Sequence, residues 1–520
     1  MKTILHRLRA LALIVVATPL AAPLAAHLAA QAAKSTPKTI VAVPAAISAI
    51  KESDLKRDLY LLGGETMHGR EAGTLDEMRA SMWIADQFRA IGVAPTGEDG
   101  SYFQWWNMRR TRISTISSSV TLDGKALALW TGISPTSNLG SDLTAQTLFV
   151  GDGRDTTVDV KGKIAVVMMQ PPTTPLRSTT NSYEYRYARA SIMSQGNALT
   201  RRGAAGVIIV ADSVADIAYD GVWKIQERGA YDVIGGAPRN AAAANPPPAP
   251  RTTGAPVLFV HRSALGMFRD NGHTVEIHLR LESFESPSVN IIGVVRGTDP
   301  KLRDEYVLFS SHQDHDGVRY AIDGDSTWSG ADDNGSTSVA LLAIARAFVK
   351  QPGKRSALFV FHGAEERGLL GSRYHAQHPV VPLQSIVAVL NGDMIGRNNP
   401  DSAALLGSQP PHRNSSELVQ MAMEANGETG KFIIDSLWDR PTHPEGWYFR
   451  SDHVPYARLN VPAIFFSTNL HPDYHTPRDK PQFIDYAKLT HMTKWMYMTG
   501  WIVANAAKRP AIDPGFKLER

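Results

Sequence analysis

The chain has 520 residues, 43% apolar and 20% charged, a composition that excludes a disordered chain and predicts roughly three domains. Its formal net charge is +4 and its pI about 9.0. It has no cysteine, which excludes disulfides, thiolate metal sites, iron–sulfur clusters and cysteine nucleophiles, so any metal must be held by His, Asp or Glu.

The N-terminus reads as an address. Lys2, Arg7 and Arg9 precede a small, apolar stretch over 10–26, and Ala30-Gln31-Ala32 fits a cleavage site. Residues 1–32 are expected to be a signal peptide rather than an anchor, because Pro19 and Pro23 interrupt the apolar run. This segment carries three positive charges and no negative one, so the rest of the chain is near neutral. The basic balance therefore belongs mostly to the address, and a nucleic-acid partner is not expected. No apolar run of about 20 residues follows, so no membrane span is expected after cleavage. The expected location is secreted or periplasmic.

An Ala/Pro/Ser/Thr-rich linker covers 34–50. Helical periodicity appears over 50–62 and again over 75–91. In the second stretch Met78, Met82, Ile84, Ala85, Phe88 and Ile91 recur at three- and four-residue steps before Gly92. From about residue 115 the texture changes to short β-type runs, at 117–122, 147–150, 163–169, 206–210, 257–260 and 274–279, with a helix expected over 191–202. Five prolines mark 245–256 as an irregular loop. From residue 288 strands (289–295, 306–310, 357–362, 386–390, 463–467) alternate with helices (336–349, 415–426). That alternation predicts an α/β sheet covered on both faces.

Eleven of the 17 histidines fall between 312 and 492, which places the chemistry in the C-terminal half. Five segments there put His or carboxylates just after strands, where open α/β sheets bind their ligands. They are Ser-His-Gln-Asp-His-Asp at 311–316, Gly-Ala-Asp-Asp-Asn-Gly-Ser at 330–336, Gly-Ala-Glu-Glu-Arg-Gly at 363–368, Asn-Gly-Asp-Met-Ile-Gly at 391–396 and Asp-Tyr-His-Thr-Pro-Arg-Asp at 473–479. Read singly, each has a bland alternative. The 330–336 segment fits a helix N-cap, and Glu365-Glu366 fits a solvated charge pair. Between them they can furnish two histidines and three carboxylates with a spare glutamate. That inventory suits two divalent cations sharing one carboxylate, zinc first, with cobalt or manganese as alternatives.

These motifs, in this order over about 165 residues, resemble the secreted co-catalytic zinc aminopeptidases and the glutamate carboxypeptidase II group, metallopeptidase family 28. The resemblance implies a mixed β-sheet flanked by helices, two zinc ions and peptide substrates. It implies that His312 and Asp393 bind the first metal, that Asp333 and not Asp332 bridges both, and that Glu366 and His475 bind the second. Glu365 would be the general base and Tyr474 would steady the oxyanion. Asp314 would orient His312, with Asp479 a second candidate for such duty. Gly-Arg-Glu-Ala-Gly-Thr at 69–74 also resembles the start of the family's catalytic domain. That domain is then expected at 33–114 and 288–510, split around a β-rich insert at 115–287. The insert resembles a protease-associated domain through 160–167, 203–210 and 256–260. Carboxypeptidase or deacylase activity and a metal-free, receptor-like role are the alternatives. His443, His453, His471, Trp438 and Trp447 lie near the motifs in sequence, with structural roles as the simpler use. Oligomeric state and side-chain preference are not encoded in these motifs.

Overall fold

A computed structural model of the chain describes residues 42–172, 183–235 and 254–519. The expected signal peptide and most of the Pro-rich stretch 245–256 lie outside the described residues. Val43–Arg520 form one compact unit. No helix among the described residues is long and apolar enough to cross a membrane.

The site-bearing layer is a ten-stranded mixed sheet. Its centre contains β1 (Phe103–Ile113), β2 (Leu281–Val295), β3 (Tyr306–His312), β4 (Ser356–His362), β5 (Ile386–Gly392) and β6 (Ala463–Ser467). Their spatial order is β6-β5-β3-β4-β2-β1. β3 runs parallel to both β4 and β5, and β5 parallel to β6, so the carboxyl ends of four strands open on one edge. β2 pairs antiparallel with β4 and β1.

The central strands are buried on both faces, which is why they read as continuous apolar runs. On one face Leu308, Leu358 and Val360 pack with Ala376, Tyr456 and Ala457. On the other, Phe309 and Phe359 stack at 5.3 Å and meet Phe348 edge-on. Phe348 belongs to α2 (Thr337–Lys350), which packs with α3 (Tyr486–Asn505) and α1 (Leu75–Ile91). α1 begins where Thr74 Oγ1 accepts the N–H of Asp76 and ends at Gly92, whose φ of 91° is left-handed.

A second, eight-stranded sheet is built from residues between 119 and 279. Alternate side chains of its central strands face two cores. Val167, Val207 and Ile209 pack with Tyr187 and Ile192 of the helix Tyr183–Arg201, while Ile164, Val166 and Ile208 face Trp130 and Val275. β1 leads into this region and β2 leads out of it; their ladder runs from Phe103↔Ile291 to Ile113↔Leu281. β2 crosses residue 288 without a break.

The runs expected at 206–210, 257–260, 274–279 and 463–467 and the helix at 75–91 have the observed bounds. Two long elements, β1 and α3, carry no clear period in the sequence.

Candidate metal centre

His312 is the last residue of β3, and Asp393 follows β5 directly. Glu365 and Glu366 lie in the turn after β4, and His475 in the loop after β6. Asp333 lies in the irregular segment Ala331–Ser336 that opens α2. Chain segments far apart in sequence thus converge at the carboxyl edge of the parallel strands.

Asp333 is the centre of the arrangement. Its Oδ1 lies 3.3 Å from His312 Nε2, and its Oδ2 lies 3.1 Å from His475 Nε2. Asp393 Oδ2 faces His312 Nε2 at 3.6 Å, and Glu366 Oε1 faces His475 Nε2 at 3.1 Å. Two donor clusters result, His312–Asp333–Asp393 and His315–Asp333–Glu366–His475, each with its ligand atoms within 4.8 Å of one another. His315 was not among the residues assigned a role from the sequence.

These residues fit a pair of cations. His312 Nε2, His475 Nε2, Glu366 Oε1 and Asp393 Oδ1 are buried, and none of them makes a well-formed hydrogen bond among the described residues. Buried polar atoms without partners cost free energy, and a cation would satisfy all four. The donors are imidazole nitrogens and carboxylate oxygens, a set that suits zinc.

The charges are mutually dependent. Burial pulls the His312 imidazole down, but Glu365, Asp393 and Asp333 outweigh it and hold it well above its ordinary value. His475 is likewise opposed by burial yet pushed up to about 10 by Glu366, Asp316 and Asp333. Burial works against the Glu366 carboxylate, and His475 and His315 overcome it, holding Glu366 well below the usual range. Glu365 goes the other way. Burial raises it well above the carboxylate range, Glu366 and Asp393 add to this, and His312 opposes them. The two adjacent glutamates are thus driven apart, one suited to ligation and one to carrying a proton.

The surrounding side chains set this geometry. Asp314 accepts the main-chain N–H groups of Glu365 at 3.0 Å and Glu366 at 3.3 Å. Its carboxylate stands 3.8 Å from His312 Nδ1, whereas its main-chain oxygen stands 3.1 Å away, so it is the Asp314 peptide that orients the ring. Asp479 accepts the N–H groups of Asp332 at 2.9 Å and Asp333 at 3.0 Å and fixes that turn rather than a histidine. Asp332 turns away from the cluster and accepts the Gly396 N–H at 2.7 Å. The Tyr474 ring stacks on His475 at 3.9 Å, and its hydroxyl accepts a hydrogen bond from Arg450 at 2.9 Å.

Three supporting residues were given no role from the sequence, although Arg70 lies in the 69–74 segment. Ser451 donates to Asp393 Oδ2 at 2.7 Å. Arg450 holds Tyr474. Arg70, fully buried, donates to the main-chain oxygens of Leu62, Gln313, Ser329 and Gly330 and ties the strand-end loops together. The nearby histidines have other surroundings. His453 packs between Tyr448 and Phe465, His471 lies 3.6 Å from Asp332, and the His443 ring lies tilted against Trp438. Trp447 is buried in the core, with Trp438 packed against it.

An open cleft of about 1090 Å³ leads to Glu366, Tyr474 and His475. Its walls carry Arg319, Arg367 and Arg450 from the residues after β2, and Tyr185, Arg186, Arg228 and Tyr231 from those before it.

Residues 290–499 match peptidase family M28. The aminopeptidase YwaD of Bacillus subtilis (strain 168) is 25% identical over 440 residues, 82% of this chain and 79% of that protein. A probable leucine aminopeptidase of Arthroderma benhamiae is 28% identical over 213 residues, 38% of this chain and 54% of that protein. The zinc aminopeptidase BSAP from Bacillus subtilis superimposes with a TM-score of 0.55 at 19% identity, covering 92% of this chain and 100% of that one. The aminopeptidase from Aneurinibacillus sp. strain AM-1 gives 0.54 at 17% identity, covering 90% of this chain and 97% of that one. The last two establish the fold, a mixed α/β architecture shared with zinc aminopeptidases. The matched segment spans every strand-end motif, so residues 290–499 match an M28 peptidase domain, and the chain is similar to an aminopeptidase over most of its length.

Proposed function

We propose that the protein is a two-zinc aminopeptidase that works outside the cytoplasm, removing N-terminal residues from peptides. The observation that carries the two-metal reading is Asp333, whose two oxygens face His312 and His475 separately. Removal of the N-terminal residue is favoured by the activity named for the relatives, YwaD among them. The export reading rests on the basic, then apolar, then small-residue pattern of 1–32.

Bound zinc would polarise the scissile carbonyl and make a water nucleophilic near neutral pH. His312, Asp333 and Asp393 would hold one ion; Asp333, Glu366 and His475 would hold the other. Glu365 would take the proton of the attacking water. Its Oε2 stands 3.8 Å from His312 Nε2, and burial raises its carboxyl well above the ordinary range. The same carboxyl then returns the proton to the departing amine. The Tyr474 hydroxyl accepts from Arg450, so its own hydrogen is free to donate to the developing oxyanion.

We read residues 115–287 as a protease-associated insert. Support comes from the eight-stranded sheet built within that range and from Tyr185, Arg186, Arg228 and Tyr231, which wall the cleft from it. The test is a panel of aminoacyl amides set against N-blocked peptides, using zinc-loaded protein. Cleavage of unblocked substrates is expected. Cleavage confined to blocked ones would replace this reading with a carboxypeptidase or deacylase.

A further inference from the structure

We propose that His315 is a ligand of the second metal, giving that ion four protein donors while the first keeps three and an open position. The proposal rests on the two-metal reading and adds a residue to it. His315 Nδ1 lies 2.8 Å from Glu366 Oε1, the same oxygen that His475 Nε2 faces at 3.1 Å. The ring is wholly buried; among the described residues its Nε2 has no hydrogen-bond partner, and its Nδ1 meets only the Glu366 oxygen. The His315 and His475 rings meet at 84° with centroids 5.4 Å apart, edge against face across the Glu366 oxygen.

The surroundings are built to hold the ring there. The His315 N–H donates to the main-chain oxygen of Arg70 at 3.2 Å, and Arg70 is itself pinned by four main-chain acceptors. Gly330 has a φ of 58°, and a Cβ on it would come within 2.3 Å of His315 Cγ. A side chain is absent where the imidazole needs the space. A buried imidazole with an unpartnered Nε2, its Nδ1 crowded onto a carboxylate oxygen shared with His475, costs free energy as a packing residue and is favourable as a donor. Two imidazoles with two carboxylates suit zinc, and four protein donors make a closed site.

The two positions would then differ in kind. The His315 side would retain its ion, and the His312 side would exchange ligands beside Glu365. Metal content is measured by mass spectrometry after dialysis against a graded zinc chelator, for the wild type, His315→Ala and His315→Gln. The wild type should lose one zinc readily and keep one. Both variants should hold the second zinc at least about 100-fold more weakly, with the first unchanged. A crystal structure of the zinc-loaded wild type keeps the test independent of variant folding, and there Nδ1 should lie about 2.0–2.1 Å from zinc. Two zincs with Nδ1 beyond about 3 Å, or variants that hold both zincs as the wild type does, would overturn the His315 assignment alone. A wild type that takes up no zinc would overturn the two-metal reading as well.

Discussion

Asp314 holds Glu365 by its main chain: the carboxylate accepts the Glu365 N–H at 3.0 Å and the neighbouring Glu366 N–H at 3.3 Å. One buried acid thus sets where two others point. Asp314→Asn replaces one acceptor oxygen by a donor that faces another N–H. We expect kcat to fall about 10-fold or more, with KM little changed and Glu365 displaced. Unchanged kcat at unchanged metal content would show that the turn holds itself.

Glu365→Gln keeps the shape of the side chain and removes its capacity to carry a proton. Turnover should drop about 100-fold or more, while zinc content stays at the wild-type level. Loss of zinc together with activity would instead make Glu365 a ligand.

Asp333→Ala removes the carboxylate common to both donor clusters. Both ions should be lost or weakened together, as read by metal analysis after dialysis. Retention of two zincs would exclude the shared position.

Glu77 in α1 is fully buried, which pushes its carboxyl up to about 8 from an ordinary 4.5. Asp314 adds to this rise, while hydrogen bonds from Ser288 and the Gly73 N–H oppose it. The folded state therefore holds a proton that the unfolded chain releases. The stabilisation is complete below the unfolded value and is lost as pH rises from about 4.5 to about 8, by at most about 1.4 kcal/mol per pH unit. Glu77→Gln should flatten the dependence of the unfolding midpoint on pH across that window. An unchanged slope would assign it to other groups.

Gly500 in α3 faces β3, where an added Cβ would come within 2.1 Å of Phe309 Cζ. Alanine favours a helix by about 1 kcal/mol, but overpacking here should cost more, for a net loss of about 1–3 kcal/mol. Thermal unfolding of Gly500→Ala checks this, and a stability equal to wild type would mean that the Phe309 ring yields freely.

The sequence made legible whatever was specified locally. Val207, Ile208 and Ile209 form a wholly apolar run, and the amphipathic spacing of α1 ends at a glycine; both became elements with the expected bounds. β1 was missed because its second half is charged. Arg112 is completed by Glu282 across the ladder at 2.6 Å, a partner the local pattern cannot reveal. α3 was missed because it is buried on nearly every side, so it has no apolar stripe against a polar face. The same division runs through the site. The acids and histidines announce themselves by motif, five segments in order. Ser451 and Arg450 stand outside any motif, and Arg70, though inside the 69–74 segment, acts on partners from distant sequence, Gln313 being 243 positions away. His315 lies inside the 311–316 segment, and only the fold reveals that it faces Glu366.

The ladder between β1 and β2 closes on Ile113 opposite Leu281, so the chain enters and leaves the region of the eight-stranded sheet on one rung. A stretch whose two ends are neighbours behaves as a module. A short turn could join Ile113 to Leu281 in its place without moving the strands that present His312, Glu365, Glu366, Asp393 and His475. Such a join would delete Ala230–Val233 at the sheet edge and the arginine-bearing wall of the cleft contributed from before β2. The cleft wall contributed from before β2 and the strand ends that carry the site thus come from stretches of chain that meet at one rung of this ladder.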